Sequence, residues 1–191
     1  MIEIKNVSVS FGDKKIIDNL CISLPDTGLV TFSGASGSGK TTLLRTLLGL
    51  QNYSGEIIKD RKLTFSAVFQ ESSLLPWLTA AENVAAVCEI NDNNLEKAKE
   101  LLSQVGFDEI DFDKLPYELS VGMARRVAAA RAVMIDFDVL VLDEPFAGLD
   151  EDNISAVADL LLSQRNEKLI ILVTHVGDFS ADFDYKIGNN D

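Results

Sequence analysis

Cysteine, histidine and tryptophan are scarce in this chain: 191 residues contain two, one and one of them. Cys21 and Cys88 lie far apart without metal-ligand partners. This excludes a disulfide-stapled secreted scaffold and predicts reduced, half-buried thiols in a cytosolic setting. No uninterrupted apolar run approaches about 18 residues, and Met1-Ile2-Glu3-Ile4-Lys5 lacks the charged-then-apolar order of a signal peptide. The chain is therefore expected neither to cross a membrane nor to be exported. Basic residues are also in short supply, with 17 Lys+Arg against 30 Asp+Glu and a formal net charge of −13. Such a balance repels nucleic-acid backbones and anionic lipid at long range, which argues against a general nucleic-acid binder. A small phosphate ligand remains compatible, because backbone dipoles and one or two cations can hold it locally. Neither an internal repeat nor a linker-like stretch divides the chain, so one domain over 1–191 is expected. With 47% hydrophobic and 25% charged residues, the composition supports a continuous core and excludes disorder as the main state.

Hydrophobic periodicity sets the order of elements. Residues 2–9 alternate as a half-buried strand and 16–24 as another, separated by a turn at Gly12-Asp13. Residues 29–33 form a short apolar run ending in a glycine-rich loop, and 41–50 read as an apolar helix. Residues 63–69 are a further strand. The stretches 79–89 and 95–105 have helical spacing, with Thr79 and Glu82 placed as a capping box. Ser120 can cap a helix running to about 135. Residues 139–142 and 169–173 read as strands covered on both faces, with a helix over 154–164 between them. Alternation of this kind predicts an α/β protein: a parallel sheet flanked by helices, an antiparallel β region before it, and ligands at the carboxyl ends of the strands.

Gly34-Ala35-Ser36-Gly37-Ser38-Gly39-Lys40-Thr41 fits G-x-x-x-x-G-K-[ST] and sits between a predicted strand and a predicted helix. The glycines let amide groups of Ser36, Gly37, Ser38, Gly39 and the residues after them turn around phosphate oxygens. Lys40 is placed to reach the β/γ-phosphates, and Thr41, followed by Thr42, to meet Mg²⁺ and the phosphates. Asp143 and Glu144 follow the apolar run 139–142, so both carboxylates emerge at the strand edge where the phosphate loop opens. Asp143 can hold the Mg²⁺ shell, and Glu144 can orient or deprotonate an attacking water.

These residues resemble the ATP-binding subunit of ABC transporters, in that family's order and over nearly the whole chain. The resemblance implies a P-loop NTPase with a RecA-like parallel sheet, an N-terminal antiparallel β subdomain and a helical signature subdomain at about 72–135. It implies ATP and Mg²⁺ as ligands. Phe11 matches the aromatic that stacks on adenine, although a core position in the β region is the alternative. Gln70 matches the Q-loop glutamine, which touches Mg²⁺ or its water and couples the site to the membrane partner. Leu119-Ser120-Val121-Gly122-Met123 looks like the signature motif, whose Ser120 and Gly122 would grip a phosphate held by a second subunit. Gly148-Leu149-Asp150 resembles the D-loop crossing the same interface. His175, the only histidine, matches the switch histidine that would position water beside Glu144.

The resemblance further implies a second ATPase subunit, identical or different, and integral-membrane permease subunits. The chain would then be peripheral on the cytoplasmic face of the membrane. Residues 74–79 with Glu82-Asn83-Val84, and Met123, look like importers of the nitrate, sulfonate and taurine group, which also use a solute-binding protein. Trp77 and Leu78 would then dock on the permease, or equally serve as a hydrophobic staple of the helix entry.

Three departures stand out. Val121 replaces the first glycine of the signature pair, and a β-branched residue resists positive φ. Looser contact is expected there, and with Ala124 and Arg125, which alter the polar run after the motif, it bears on the rate of hydrolysis more than on ATP binding. The segment between Tyr53 and Gln70 is short, and the part after His175 looks abbreviated. A module that closes on ATP but scarcely hydrolyses it, and a soluble ABC protein acting on nucleic acid, are the competing readings.

Overall fold

In the computed structural model, which describes residues 1–177 and 179–188, the opening alternation forms a hairpin. Strand β1 (Ile2–Phe11) runs antiparallel to β2 (Lys14–Leu24), with Phe11 opposite Lys14. Asn6 takes φ 52°, and the register shifts between Ile4 and Val7. The bulge lets Ile2 and Ile4, then Val7 and Val9, all face the core despite the change of parity. A strand not expected from the sequence, β4 (Ser54–Lys59), pairs with the other side of β1 and completes a sheet of order β2-β1-β4.

The second sheet is parallel throughout, in the order β5-β6-β7-β3-β8. It consists of β3 (Gly28–Ser33), β5 (Phe65–Val68), β6 (Val139–Asp143), β7 (Leu169–Val173) and β8 (Phe183–Lys186). Period-two alternation distributes its side chains between two layers. Leu29, Leu140, Leu142, Ile170 and Leu172 join one buried cluster with Ala81, Ala98, Val127 and Val157. Those four come from helices α2 (Ala80–Ala85), α3 (Asp92–Gln104), α4 (Val121–Ala132) and α5 (Glu151–Leu162). Val30, Phe32, Val139, Val141 and Ile171 face the opposite way, onto α1 (Lys40–Leu47) and the antiparallel sheet. No helix among the described residues is long and apolar enough to cross a membrane.

Several helix ends differ from expectation. Thr79 does form the capping box with Glu82, but α2 stops at Ala85 rather than near 89. Helix α3 begins ahead of 95 because the Asn91 side chain accepts the Asn94 amide at 3.0 Å. Helix α5 begins at Glu151 because Asp150 caps it in the same way. Cys21 is exposed rather than half-buried, since alternation along β2 turns it to solvent beside Asn6, while Cys88 is partly buried against the helical core.

Candidate nucleotide site

The site grows from the end of β3. Gly34 closes the strand at φ 143°, where a Cβ would stand 2.1 Å from the Ile187 carbonyl oxygen, so only glycine fits. Gly39 takes φ 100° as the N-cap of α1 and offers no side-chain oxygen to the first turn. The first-turn amides are therefore left for an anion, where the helix dipole also favours negative charge. Lys40 is buried, and its Nζ donates to the Gly34 and Ala35 carbonyl oxygens at 2.8 and 2.9 Å. An ammonium inside the curl of its own loop is held ready for phosphate oxygens.

Strands β6 and β7 supply the other wall. Asp143 is 3% exposed, and among the described residues no group donates a hydrogen bond to its carboxylate. A buried, unpartnered carboxylate sharing the cleft with Thr41 is a donor set suited to a hard cation. Glu144 adopts φ 53°, an uncommon conformation for a residue with a Cβ, and its amide donates to the Val173 carbonyl oxygen at 2.8 Å. That turn sends its carboxylate towards His175: Oε2 accepts the His175 amide at 3.2 Å, and Oε1 stands 3.5 Å from His175 Nε2.

A cleft of about 740 Å³ gathers Phe11, Ser36, Gly37, Gly39, Lys40, Thr41, Thr42, Gln70, Asp143, Glu144 and His175. Phe11 is 53% exposed at its rim, which removes the core alternative for this residue. Gly34 and Ser38 do not line that cleft; Ser38 lines a different face, with Lys15 and Lys186. Lys14, Ile16, Ala147 and Val176 also line the cleft and were not foreseen. Lys14 reaches it because it pairs with Phe11 across the hairpin, a register that the motif spacing does not contain.

Ser120, Gly122 and Asp150 do not line that cleft. Ser120 caps α4, its Oγ accepting the Met123 amide at 3.1 Å. Val121 is the first residue of α4 and has no positive φ, so the expected backbone conflict is corrected: this position is an ordinary helical turn. Its side chain is 71% exposed. Gly122 borders Leu149 and the Gly148 carbonyl oxygen. Asp150 accepts hydrogen bonds from the Asn153 amide and side chain, which hold its carboxyl below the usual range.

Phosphate loop, buried strand-end carboxylate and neighbouring glutamate on a parallel sheet define a P-loop NTPase. The family profile described as ABC transporter matches residues 17–147. The chain is 40% identical over 182 residues to the aliphatic sulfonates import ATP-binding protein of Bacillus cereus, covering 90% of this chain and 72% of that one. A second such protein, from Pseudomonas savastanoi, is 39% identical over 177 residues, covering 91% and 65%. Among solved structures, the dimeric post-hydrolysis state of the ATP-binding cassette MJ0796 bound to ADP and Pi superposes with a TM-score of 0.83. Its sequence identity is 27%, over 92% of this chain and 88% of that one. The chain belongs to the ABC transporter family and is an ABC ATPase, a subunit that binds and hydrolyses ATP. Neither competing reading, the non-hydrolysing module or the nucleic-acid protein, finds support among these relatives.

Proposed function

We propose that this ATPase pairs with a second ATPase subunit and powers solute import through separate integral-membrane permease subunits. The observation that carries the reading is the meeting of Lys40, Asp143 and Glu144 in one cleft at the carboxyl edge of the parallel sheet. On this reading the loop amides and Lys40 bind the β/γ-phosphates, and Phe11 stacks on adenine. Mg²⁺, when bound, would neutralise phosphate charge, with Thr41, Gln70 and Asp143 as its protein-side partners. Among the described residues no three His, Cys, Asp or Glu side chains form a protein-only cage, and a cation shared with phosphates needs none. Glu144 accepts the proton of the attacking water, and His175 holds the water and γ-phosphate in line.

Ser120, Gly122 and Asp150, lying outside their own cleft, would face the nucleotide of the second subunit. The dimeric cassette supports that arrangement, in an identical or a different partner. The import names of the relatives support aliphatic sulfonates as the cargo class, with a solute-binding protein delivering them. Trp77, 70% exposed, would dock with Leu78 on the permease, leaving the chain peripheral on the cytoplasmic face. Residues 1–191 would act as one ATPase domain, with 72–135 as its helical signature subdomain.

Pull-down of the tagged chain from detergent-solubilised membranes tests this reading, followed by identification of what is retained. A retained permease whose complex hydrolyses ATP faster with an aliphatic sulfonate and its binding protein is expected. An assembled permease complex indifferent to sulfonates would overturn the cargo reading, and recovery of no membrane protein would overturn the transport reading.

A further inference from the structure

Helix α4 joins two places that the nucleotide reading treats separately. Its N-terminal turn carries Ser120 and Gly122, and its last turn carries Arg131. The 12-residue helix is about 18 Å long. Arg131 donates from Nη2 to the Ser72 carbonyl oxygen at 2.8 Å and from Nη1 to the Ser73 carbonyl oxygen at 3.1 Å. Ser72 and Ser73 lie just beyond Gln70, and Ser73 holds φ 45°. The guanidinium is half-buried, burial pushes its pKa down, and among the described residues no carboxylate pairs with it. A desolvated cation whose partners are two main-chain carbonyls holds backbone geometry; it does not neutralise charge. A second tie acts at the same end, where the Ser66 hydroxyl of β5 donates to the Ala132 carbonyl oxygen at 2.6 Å.

The same segment is gripped again further on. Asn83, fully buried, accepts the Leu75 amide at 2.7 Å and donates to the Leu75 and Leu78 carbonyl oxygens at 3.1 and 2.9 Å. Between the tied residues Leu75 and Leu78 stands Trp77, the only tryptophan in the chain. Resting on the nucleotide reading above, we propose that Arg131 is a positioning residue that makes the Gln70–Trp77 segment follow α4. Clasping of a nucleotide at one end of the helix then resets Gln70 and Trp77 at the other. Arg131 does not line the nucleotide cleft; it acts through the Ser72 and Ser73 backbone.

Trp77 makes this directly measurable. In the unchanged protein, MgATP is expected to alter Trp77 emission and its quenching by acrylamide. In Arg131→Ala, MgATP affinity read with a fluorescent ATP analogue should stay within about threefold. The Trp77 response should be lost and kcat should fall about tenfold, the size of one charge-assisted hydrogen bond. Arg131→Lys keeps the charge but replaces the planar fork, whose two nitrogens bond Ser72 and Ser73 separately, by a single ammonium on a flexible stem, and should fall between. If the alanine variant does not fold by circular dichroism, the lysine variant decides, and a full response with full kcat there overturns the proposal. An unaltered Trp77 response in folded Arg131→Ala overturns it too, as does the absence of any response in an unchanged protein that binds MgATP. Failure of the unchanged protein to bind MgATP is a distinct result that removes the nucleotide reading itself.

Discussion

Glu144 and His175 meet at the ends of neighbouring strands: the glutamate carboxylate accepts the His175 amide at 3.2 Å, and its other oxygen stands 3.5 Å from the imidazole Nε2. The left-handed turn at Glu144, fixed by its amide bonding Val173, aims the carboxylate there. A water held between these two side chains and the phosphate loop would face a base already oriented. Glu144→Gln keeps the shape and removes the base, so kcat should fall by about 10²–10⁴ with MgATP affinity nearly unchanged. A steady-state ATPase assay paired with a binding titration checks this. Turnover within tenfold of the unchanged protein would exclude Glu144 as base.

Val121 is expected to matter less than its place in the signature suggests. It occupies a normal helical turn with its side chain largely in solvent. Val121→Gly changes helix propensity by only about 0.5 kcal/mol, so turnover should shift by less than about threefold. A tenfold rise in ATPase rate on this substitution would show that the valine methyls do obstruct the phosphate.

Asn83 is the structural centre of the loop bearing Trp77. Its side chain satisfies the Leu75 amide and the carbonyls of Leu75, Leu78 and Thr79 from a fully buried position. Asn83→Ala strands those groups and should cost about 2–4 kcal/mol. Urea unfolding followed by circular dichroism measures it, and a loss below about 1 kcal/mol would contradict the argument.

Acid should weaken the fold through Asp138. The Thr64 amide at 2.7 Å, then Arg61 at 2.8 Å, hold its carboxyl below the ordinary range. With its folded pKa depressed below an unfolded value near about 3.9, its contribution is complete above that value and is lost as the pH falls through the folded pKa. The urea midpoint of Asp138→Asn should therefore be lower at neutral pH and decline less on acidification below about pH 4. Parallel acid limbs for the two proteins would count against it.

Much of this architecture was legible because single residues announce it. The short, unbroken apolar runs of β6 and β7 are typical of strands covered on both faces, and the phosphate loop marks the strand and helix around it. Strands β4 and β8 escaped notice for a physical reason. Ser54-Gly55-Glu56 has little strand preference and Phe183-Asp184-Tyr185 stands among acidic residues, so both exist through pairing with β1 and β3. Lys40, Thr41, Asp143 and Glu144 could be placed in the cleft from motif and strand order, whereas Phe11, Gln70 and His175 were indicated only by the family resemblance. Lys14 could not, since only the hairpin register brings it to Phe11, while the helical turn at Val121 follows from the Ser120 cap that the sequence itself marks.

The central claim is that loop amides and the Lys40 ammonium together grip a magnesium-bound triphosphate. Isothermal titration of the purified chain with ATP, with and without Mg²⁺, and of Lys40→Ala under the same conditions tests it most directly. Magnesium-dependent binding in the unchanged protein, weakened at least about tenfold by the loss of one charge-assisted contact, is the expected result. Equal affinity in the two proteins, or none that depends on magnesium, would contradict it.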